Sequence, residues 1–233
     1  MSRPAAGWTE ALPTDRLIAE LALWSADLIN LGSDIARAES HADLLHIDVS
    51  DGHFSPSLLF FPDLVARIRS VTACPIHVHL MVTESALIPQ INQFAEAGAD
   101  VISIHAENTM VADGALGRIR ELGLIPGIVL KADTPVAKIV RHLPRVGFVT
   151  LMGTTAGLKG EPLSPHAALR LTEARTYIKA ARVDHRIVLL ADGGIDEASI
   201  KPLRKAGADA MVVGSLAFDA PDLGERLAWI KGH

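Results

Sequence analysis

Short apolar runs alternate with longer stretches of helical period along most of the chain, and that alternation predicts its architecture. Runs of strand length lie at 19–24, 44–49, 75–81, 101–105, 124–130, 148–152, 187–191 and 210–213. Helical patterns span 28–40, 62–71, 86–97, 110–122, 135–142, 165–181, 195–205 and 216–231, several opening on a proline or a polar cap. Two of them end in nearly the same phrase, Ala97-Gly98-Ala99-Asp100 and Ala206-Gly207-Ala208-Asp209, which reads as a glycine helix stop followed by a new strand. Eight β-then-α units, with short glycine-bearing turns and no Pro-, Gly- or Ser-rich linker, predict an α/β fold of the (β/α)8 TIM-barrel type. An open doubly wound sheet would carry a glycine-rich dinucleotide turn after its first strand, and no G-x-G-x-x-G follows Trp24. Residues 1–233 are expected to form one domain, with 1–15 as a polar extension.

Composition narrows the classes. Hydrophobic residues make up 49% of the 233, which suits strands buried on both faces and argues against disorder. The net charge of −5, with Lys and Arg scattered, gives no basic footprint for nucleic acid, so an anionic ligand has to be held locally. One cysteine, Cys74, rules out an intramolecular disulfide framework, and no basic-then-apolar leader opens the sequence. No apolar run approaches the roughly 18 residues of a membrane span. A soluble, cytoplasmic protein with no membrane partner is the expectation.

Polar residues enter the strand runs unevenly. The segment 45–54 reads L-H-I-D-V-S-D-G-H-F, and strand alternation puts His46, Asp48 and Ser50 on one face. It fits two readings: an Asx-type turn at Asp51-Gly52 with its neighbours satisfied at a surface, or a site for a metal ion or a reacting proton. In a barrel, chemistry gathers at the C-terminal strand ends, where His46/Asp48, His77/His79, His105 and Asp192 fall. Two imidazoles and two carboxylates suit one divalent transition ion such as Zn, Mn, Fe or Co. His46, Asp48, His79 and Asp192 are the natural set; His77 shares a face with His79, and spacing alone does not choose between them. His105 is expected to line the pocket. A second constellation is glycine-rich: Gly193-Gly194, Gly214-Ser215, and G-T-T-A-G-L-K-G from Gly153 to Gly160, with Gly157 and Lys159 inside it. Turns of this kind hold phosphate through N–H groups.

The phrases W-S-A-D-L at Trp24, H-I-D-V-S-D-G-H-F at His46, H-V-H-L-M-V at His77, A-G-A-D at Ala97, D-G-G-I at Asp192 and V-G-S at Val213 together resemble the ribulose-phosphate 3-epimerase family, over about 21–218. The resemblance implies a ribulose-phosphate-binding TIM barrel with a divalent metal on His46, Asp48, His79 and Asp192. Asp48 and Asp192 would also be the acid/base pair, with Ser25 touching substrate and Met81 and Met152 lining the reacting centre. The implied reaction inverts C3 of a ketose phosphate through a cis-enediolate. D-ribulose 5-phosphate would give D-xylulose 5-phosphate, or a related tetrulose or hexulose phosphate would react. Inversion needs a proton removed from one face and returned to the other, hence two carboxyl groups, and positive charge beside the enediolate. The small-molecule sugar phosphate is then the expected partner, and a homo-oligomer the expected state. Departures are Ser50 for a family methionine, Ser57 for an asparagine, His77 for a common aspartate, and Ala156-Gly157-Leu158-Lys159-Gly160-Glu161 for P-G-F-G-G-Q. Two alternatives stay open: a phosphate-binding barrel lyase, for which Lys131 is the one Schiff-base candidate and no D-x-K-x-x-D occurs, and a non-catalytic sugar-phosphate-binding barrel.

Overall fold

The structure is a computed structural model that describes residues 4–5 and 7–233. Eight parallel strands close into a barrel: β1 (Ile18–Ala22), β2 (Leu44–Asp51), β4 (Ile76–Met81), β5 (Val101–His105), β6 (Ile125–Leu130), β7 (Phe148–Met152), β8 (Val188–Asp192) and β9 (Ala210–Val213). Closure is direct, since β1 pairs in parallel with both β2 and β9. A two-residue strand, β3 (Leu58–Leu59), adds antiparallel to the end of β2 and was not visible as a pattern. Around the barrel run α1 (Leu31–Ala38), α2 (Pro62–Val71), α3 (Glu84–Ala97), α4 (Ala112–Glu121), α5 (Ala167–Ala181), α6 (Glu197–Lys205), α7 (Ser215–Phe218) and α8 (Leu223–Lys231).

Local chemistry explains the element ends. Pro62 occupies the first turn of α2, where its missing N–H costs nothing. Asp196 and Ser199 form a reciprocal capping box on α6. Gly98 ends α3 at φ +105°, and a Cβ there would run into the aliphatic part of buried Arg69. Two expected helices differ. Within the 135–142 pattern only Val136–Ile139 form a 3-10 turn, with i→i−3 bonds such as Val140 N to Ala137 O, and a second 3-10 turn, Leu143–Arg145, follows with Pro144 in its first turn. The 216–231 pattern divides at Pro221 into α7 and α8, and Asp222 caps the second by accepting from Glu225 N. The first strand ends at Ala22 rather than Trp24. Leu23–Ser25 form a 3-10 turn at the barrel mouth.

Strand alternation sorts the interior into layers. Outward residues such as Leu21, Ile47, Val78, Ile104 and Leu189 join the helices in the large core. Inward residues Ile18, Leu44, Val101, Phe148, Val188 and Ala210 make an apolar layer at the N-terminal end. Leu12 joins it from the N-terminal extension, and Arg186 holds that segment by donating to the Leu12 and Pro13 carbonyls at 2.7 Å. Of the extension, residues 1–3 and 6 lie outside the described residues. Above this layer the inward positions become polar: Glu20, His46, Asp48, His77, His79, Ser103, His105, Thr150 and Asp192, each at most 9% exposed. Buried polar groups in a barrel need partners, and theirs define the site.

Candidate active site and metal centre

Parallel pairing sets His46 beside His77 and Asp48 beside His79, so the H-x-D of β2 and the H-x-H of β4 interlock rung by rung. Asp192 reaches the same point from the end of β8. His46 Nε2 lies 3.3 Å from Asp48 Oδ1 and 4.0 Å from Asp192 Oδ2; His79 Nδ1 lies 3.3 Å and 3.6 Å from the same two oxygens. Donor atoms about 2.1 Å from one tetrahedral ion stand about 3.4 Å apart. The four side chains therefore already have the spacing that one divalent ion imposes. His79 Nδ1 is buried and out of line for a hydrogen bond to either carboxylate, which leaves its lone pair free to bind a metal. The donor set and this orphaned nitrogen fit a divalent ion.

Electrostatics separate the two aspartates. Burial pushes the Asp48 carboxyl up, but the facing His46 and His79 outweigh it and hold Asp48 well below the usual carboxylate range. Asp192 shares the burial with less compensation; desolvation, with the nearby Asp48 charge adding to it against His46 and His79, pushes it up to about 6. Asp192 therefore holds its proton more tightly than Asp48 does. That asymmetry is what an acid/base pair requires.

Both histidines are supported from behind. His46 Nδ1 lies 2.5 Å from Glu20 Oε1. His77 Nδ1 is 2.6 Å from that same oxygen but out of line for donation, and its Nε2 lies 2.6 Å from Ser103 Oγ. The ambiguity between the two β4 histidines is resolved by register: His79 joins the aspartates, and His77 sits one rung lower among Glu20 and Ser103. His79 Nε2 contacts His105 Nε2 at 2.9 Å, and His105 Nδ1 contacts Glu107 Oε2 at 3.0 Å. Glu107 also accepts from Lys131 N at 3.0 Å and from the Thr134 hydroxyl. His105 is fully buried behind His79 rather than lining the pocket, because Phe54 packs across it at 4.6 Å between ring centroids. Glu20 and Glu107 were missed. Glu20 is one polar residue in an apolar run, and only β1–β2 pairing brings it under His46, 26 positions away.

Above the floor a cavity of about 410 Å³ opens. Ser25, Asp48, Met81, Met152, Gly157, Gly160, Asp192, Gly193, Gly194, Gly214 and Ser215 all line it; His46 and His79 lie beneath. At Gly157, Gly193, Gly194 and Gly214 a side chain would clash, whereas Gly160 has open space and takes a left-handed φ of +80°. A Cβ on Gly193, at φ +91°, would strike Thr154 Oγ1, and one on Gly214 would strike Ser25 Oγ. The N-terminus of α6 is already occupied by its own Asp196 cap, and α7 is one turn long. Lys159 reaches across the mouth to donate to Trp24 O at 2.6 Å. Ser57 donates to Gly157 O, and Glu161 accepts from Thr155 N at 2.7 Å. Ser50 is outside the cavity wall, bonded to Ser55 Oγ at 2.5 Å and to Ser57 O at 2.7 Å. Asp51 makes the Asx turn, accepting from the His53 and Phe54 amides and from Thr83 N. The Asx turn of the first reading thus forms at Asp51, while His46 and Asp48 belong to a buried His/Asp group that could hold a metal ion.

Comparison with known proteins agrees with this geometry. A profile described as the ribulose-phosphate 3 epimerase family matches residues 18–218. Ribulose-phosphate 3-epimerase 1 of Cupriavidus necator is 37% identical over 207 residues, covering 85% of this chain and 83% of its own. The ribulose-phosphate 3-epimerase of Escherichia coli K12 is 36% identical over 202 residues, covering 85% and 87%. Among solved structures, a 3-hexulose-6-phosphate synthase superposes with a TM-score of 0.68 at 14% identity, covering 93% of this chain and 99% of that one. The orotidine 5'-phosphate decarboxylase of Pyrococcus horikoshii OT3 superposes at 0.63 and 18%, covering 91% and 97%. At such identities these two show the shared barrel alone.

Proposed function

The chain belongs to the ribulose-phosphate 3-epimerase family and is a ketose-phosphate epimerase; from that premise we propose that it interconverts D-ribulose 5-phosphate and D-xylulose 5-phosphate, with Asp48 and Asp192 as its acid/base pair. The carrying observation is that two carboxylates of opposite protonation tendency meet two buried imidazoles at the floor of a cavity rimmed by glycine turns. A substrate whose phosphate lies against Gly193-Gly194 and Gly214-Ser215 would put its carbon chain over Asp48 and Asp192. One aspartate takes the C3 proton; the C3–H electron pair becomes the C2–C3 double bond as the C2 carbonyl π pair moves onto its oxygen, giving the enediolate. The other delivers a proton to the opposite face. His46, Asp48, His79 and Asp192 would hold a divalent ion, Zn, Mn, Fe or Co, which would supply positive charge to offset that of the enediolate. Met81 and Met152 form an apolar wall at the reacting carbon, and Ser25 contacts the substrate from the mouth.

The lyase alternative finds less support. Lys131 is absent from the cavity wall, and its Nζ sits 3.9 Å from the Phe54 ring centroid. No helix among the described residues is long and apolar enough to cross a membrane. The same proposal includes one barrel domain, a cytoplasmic setting and self-association. Exposed Ile29 and Leu58 would give an interface apolar surface, and sedimentation equilibrium checks it. The reaction is tested by proton NMR in deuterated water on protein loaded with Mn, Zn or Co, following loss of C3–H from D-ribulose 5-phosphate beside tetrulose and hexulose phosphates. Exchange with appearance of the epimer supports the reading. Exchange with another sugar only would move the substrate assignment, and none with any would reject it.

A further inference from the structure

We propose that Glu20 is the positioning residue of the metal centre, holding His46 in the one tautomer and ring orientation that turn its Nε2 lone pair toward Asp48 and Asp192. Glu20 is fully buried on β1, between Ala19 and Leu21, which face the outer core. A carboxylate in such a place is strongly disfavoured unless donors meet it. Oε1 faces both imidazoles, at 2.5 Å from His46 Nδ1 and 2.6 Å from His77 Nδ1, while Oε2 has no partner among the described residues. With the proton of His46 on Nδ1 and donated to Glu20, Nε2 must present its lone pair to the site 3.3 Å from Asp48 Oδ1. Ser103 completes the arrangement, because its hydroxyl at 2.6 Å from His77 Nε2 can donate there and leave the His77 proton on the Glu20 side. The carboxylate charge also makes the coordinating imidazole a better donor, as carboxylate partners of metal-bound histidines do.

This inference rests on His46 being a metal ligand. Its test is therefore a Co(II) titration of metal-stripped protein, read by visible absorption and chelator competition, on the wild type, Glu20→Gln and Glu20→Leu. Gln keeps an acceptor oxygen and loses the charge; Leu loses both. We expect Co(II) affinity to fall about tenfold in Glu20→Gln and up to about 100-fold in Glu20→Leu, with a changed ligand-field spectrum. Circular dichroism of the stripped proteins checks that the barrel persists, and if the Leu variant does not fold, Glu20→Gln carries the test. Unchanged affinity and spectrum in a folded Glu20 variant overturn the proposal and make Glu20 a packing partner of His77. A wild type that binds no Co(II) overturns the metal-site reading first, and this proposal with it.

Discussion

The floor of the cavity and its lip are built in opposite ways. His46, Asp48, His79 and Asp192 stand on β2, β4 and β8, at most 9% exposed, with the two histidines backed by further buried side chains. The lip between Gly153 and Leu163 is loop, with Thr155, Leu158, Lys159 and Gly160 exposed and tied to the rest by single hydrogen bonds to Trp24 and Ser57. Strands fix a side chain to within the tolerance that proton transfer demands, whereas a loop can change its residues without moving the barrel. The departures from the family pattern noted in the sequence reach both regions: the lip sequence 156–161 lies in the loop, whereas Ser50 and His77 are buried on β2 and β4.

Breaking the floor should give the largest effects. Asp192→Asn or Asp48→Asn is expected to slow C3–H exchange by roughly 10²–10⁴-fold, the usual contribution of a positioned acid or base. A tenfold or smaller loss in both variants would take the acid/base pair away from these carboxylates. Removing the ion tests the same region differently. Chelation should abolish exchange and lower the thermal midpoint, since an ion at 100 times its Kd stabilises the native state by about 2.7 kcal/mol. Addition of Mn, Zn or Co should restore both, and a midpoint indifferent to the chelator would contradict a bound ion.

The far end of the barrel sharpens the contrast, because it should affect stability without touching the reaction. Asp43 takes a bidentate contact from Arg16 at 2.9 and 2.8 Å, accepts from Ala19 N at 2.9 Å and meets Lys231 at 3.2 Å. Burial pushes its carboxyl up, but Arg16, the Ala19 amide and Lys231 outweigh this and hold it below the usual range. Asp43→Asn is expected to cost about 2 kcal/mol of unfolding free energy at pH 7, with kcat/KM unchanged. A lowered native pKa means the contribution is fully present above the unfolded value near 3.9 and is lost as the pH falls through the native value. The gap between wild type and variant should therefore stay level from pH 7 to about 5 and close below about 4. A gap that grew on acidification would show that Asp43 is not held ionised.

How much of this was legible in sequence depends on where the partner of each residue lies. The barrel was legible because each strand and helix carries its own period, and the convergence of a buried His/Asp group because H-x-D, H-x-H and D-G-G each place a polar side chain at a strand end. Segment 135–142 differs from an α-helix because its amides bond three residues back, as Lys138 N to Pro135 O and Val140 N to Ala137 O, and an apolar period does not tell a 3-10 turn from an α-helix over so short a run. His105 was assigned to the wrong side of His79, and Glu20 was not seen at all, for one reason. Their roles are set by neighbours on adjacent strands, His79 and His46, each 26 residues away. No local pattern carries a contact of that kind.

Lys159 offers the smallest expected effect and the most direct test of the lip. Among the described residues it is the one lysine or arginine lining the cavity, so a phosphate seated against Gly193-Gly194 and Gly214-Ser215 has this single ammonium to meet its charge. The side chain now donates to Trp24 O and lies 4.8 Å from the Trp24 ring centroid, spanning the mouth. Because its ammonium is held at the mouth by Trp24, it should act on binding more than on proton transfer. Lys159→Ala is expected to raise KM about tenfold, or about 1.4 kcal/mol, and to leave kcat within about twofold. The KM difference should shrink at high ionic strength, where a partly exposed charge is screened. An unchanged KM with a lower kcat would instead make Lys159 a latch that holds the loop closed on Trp24, and the phosphate would then be bound by backbone amides alone.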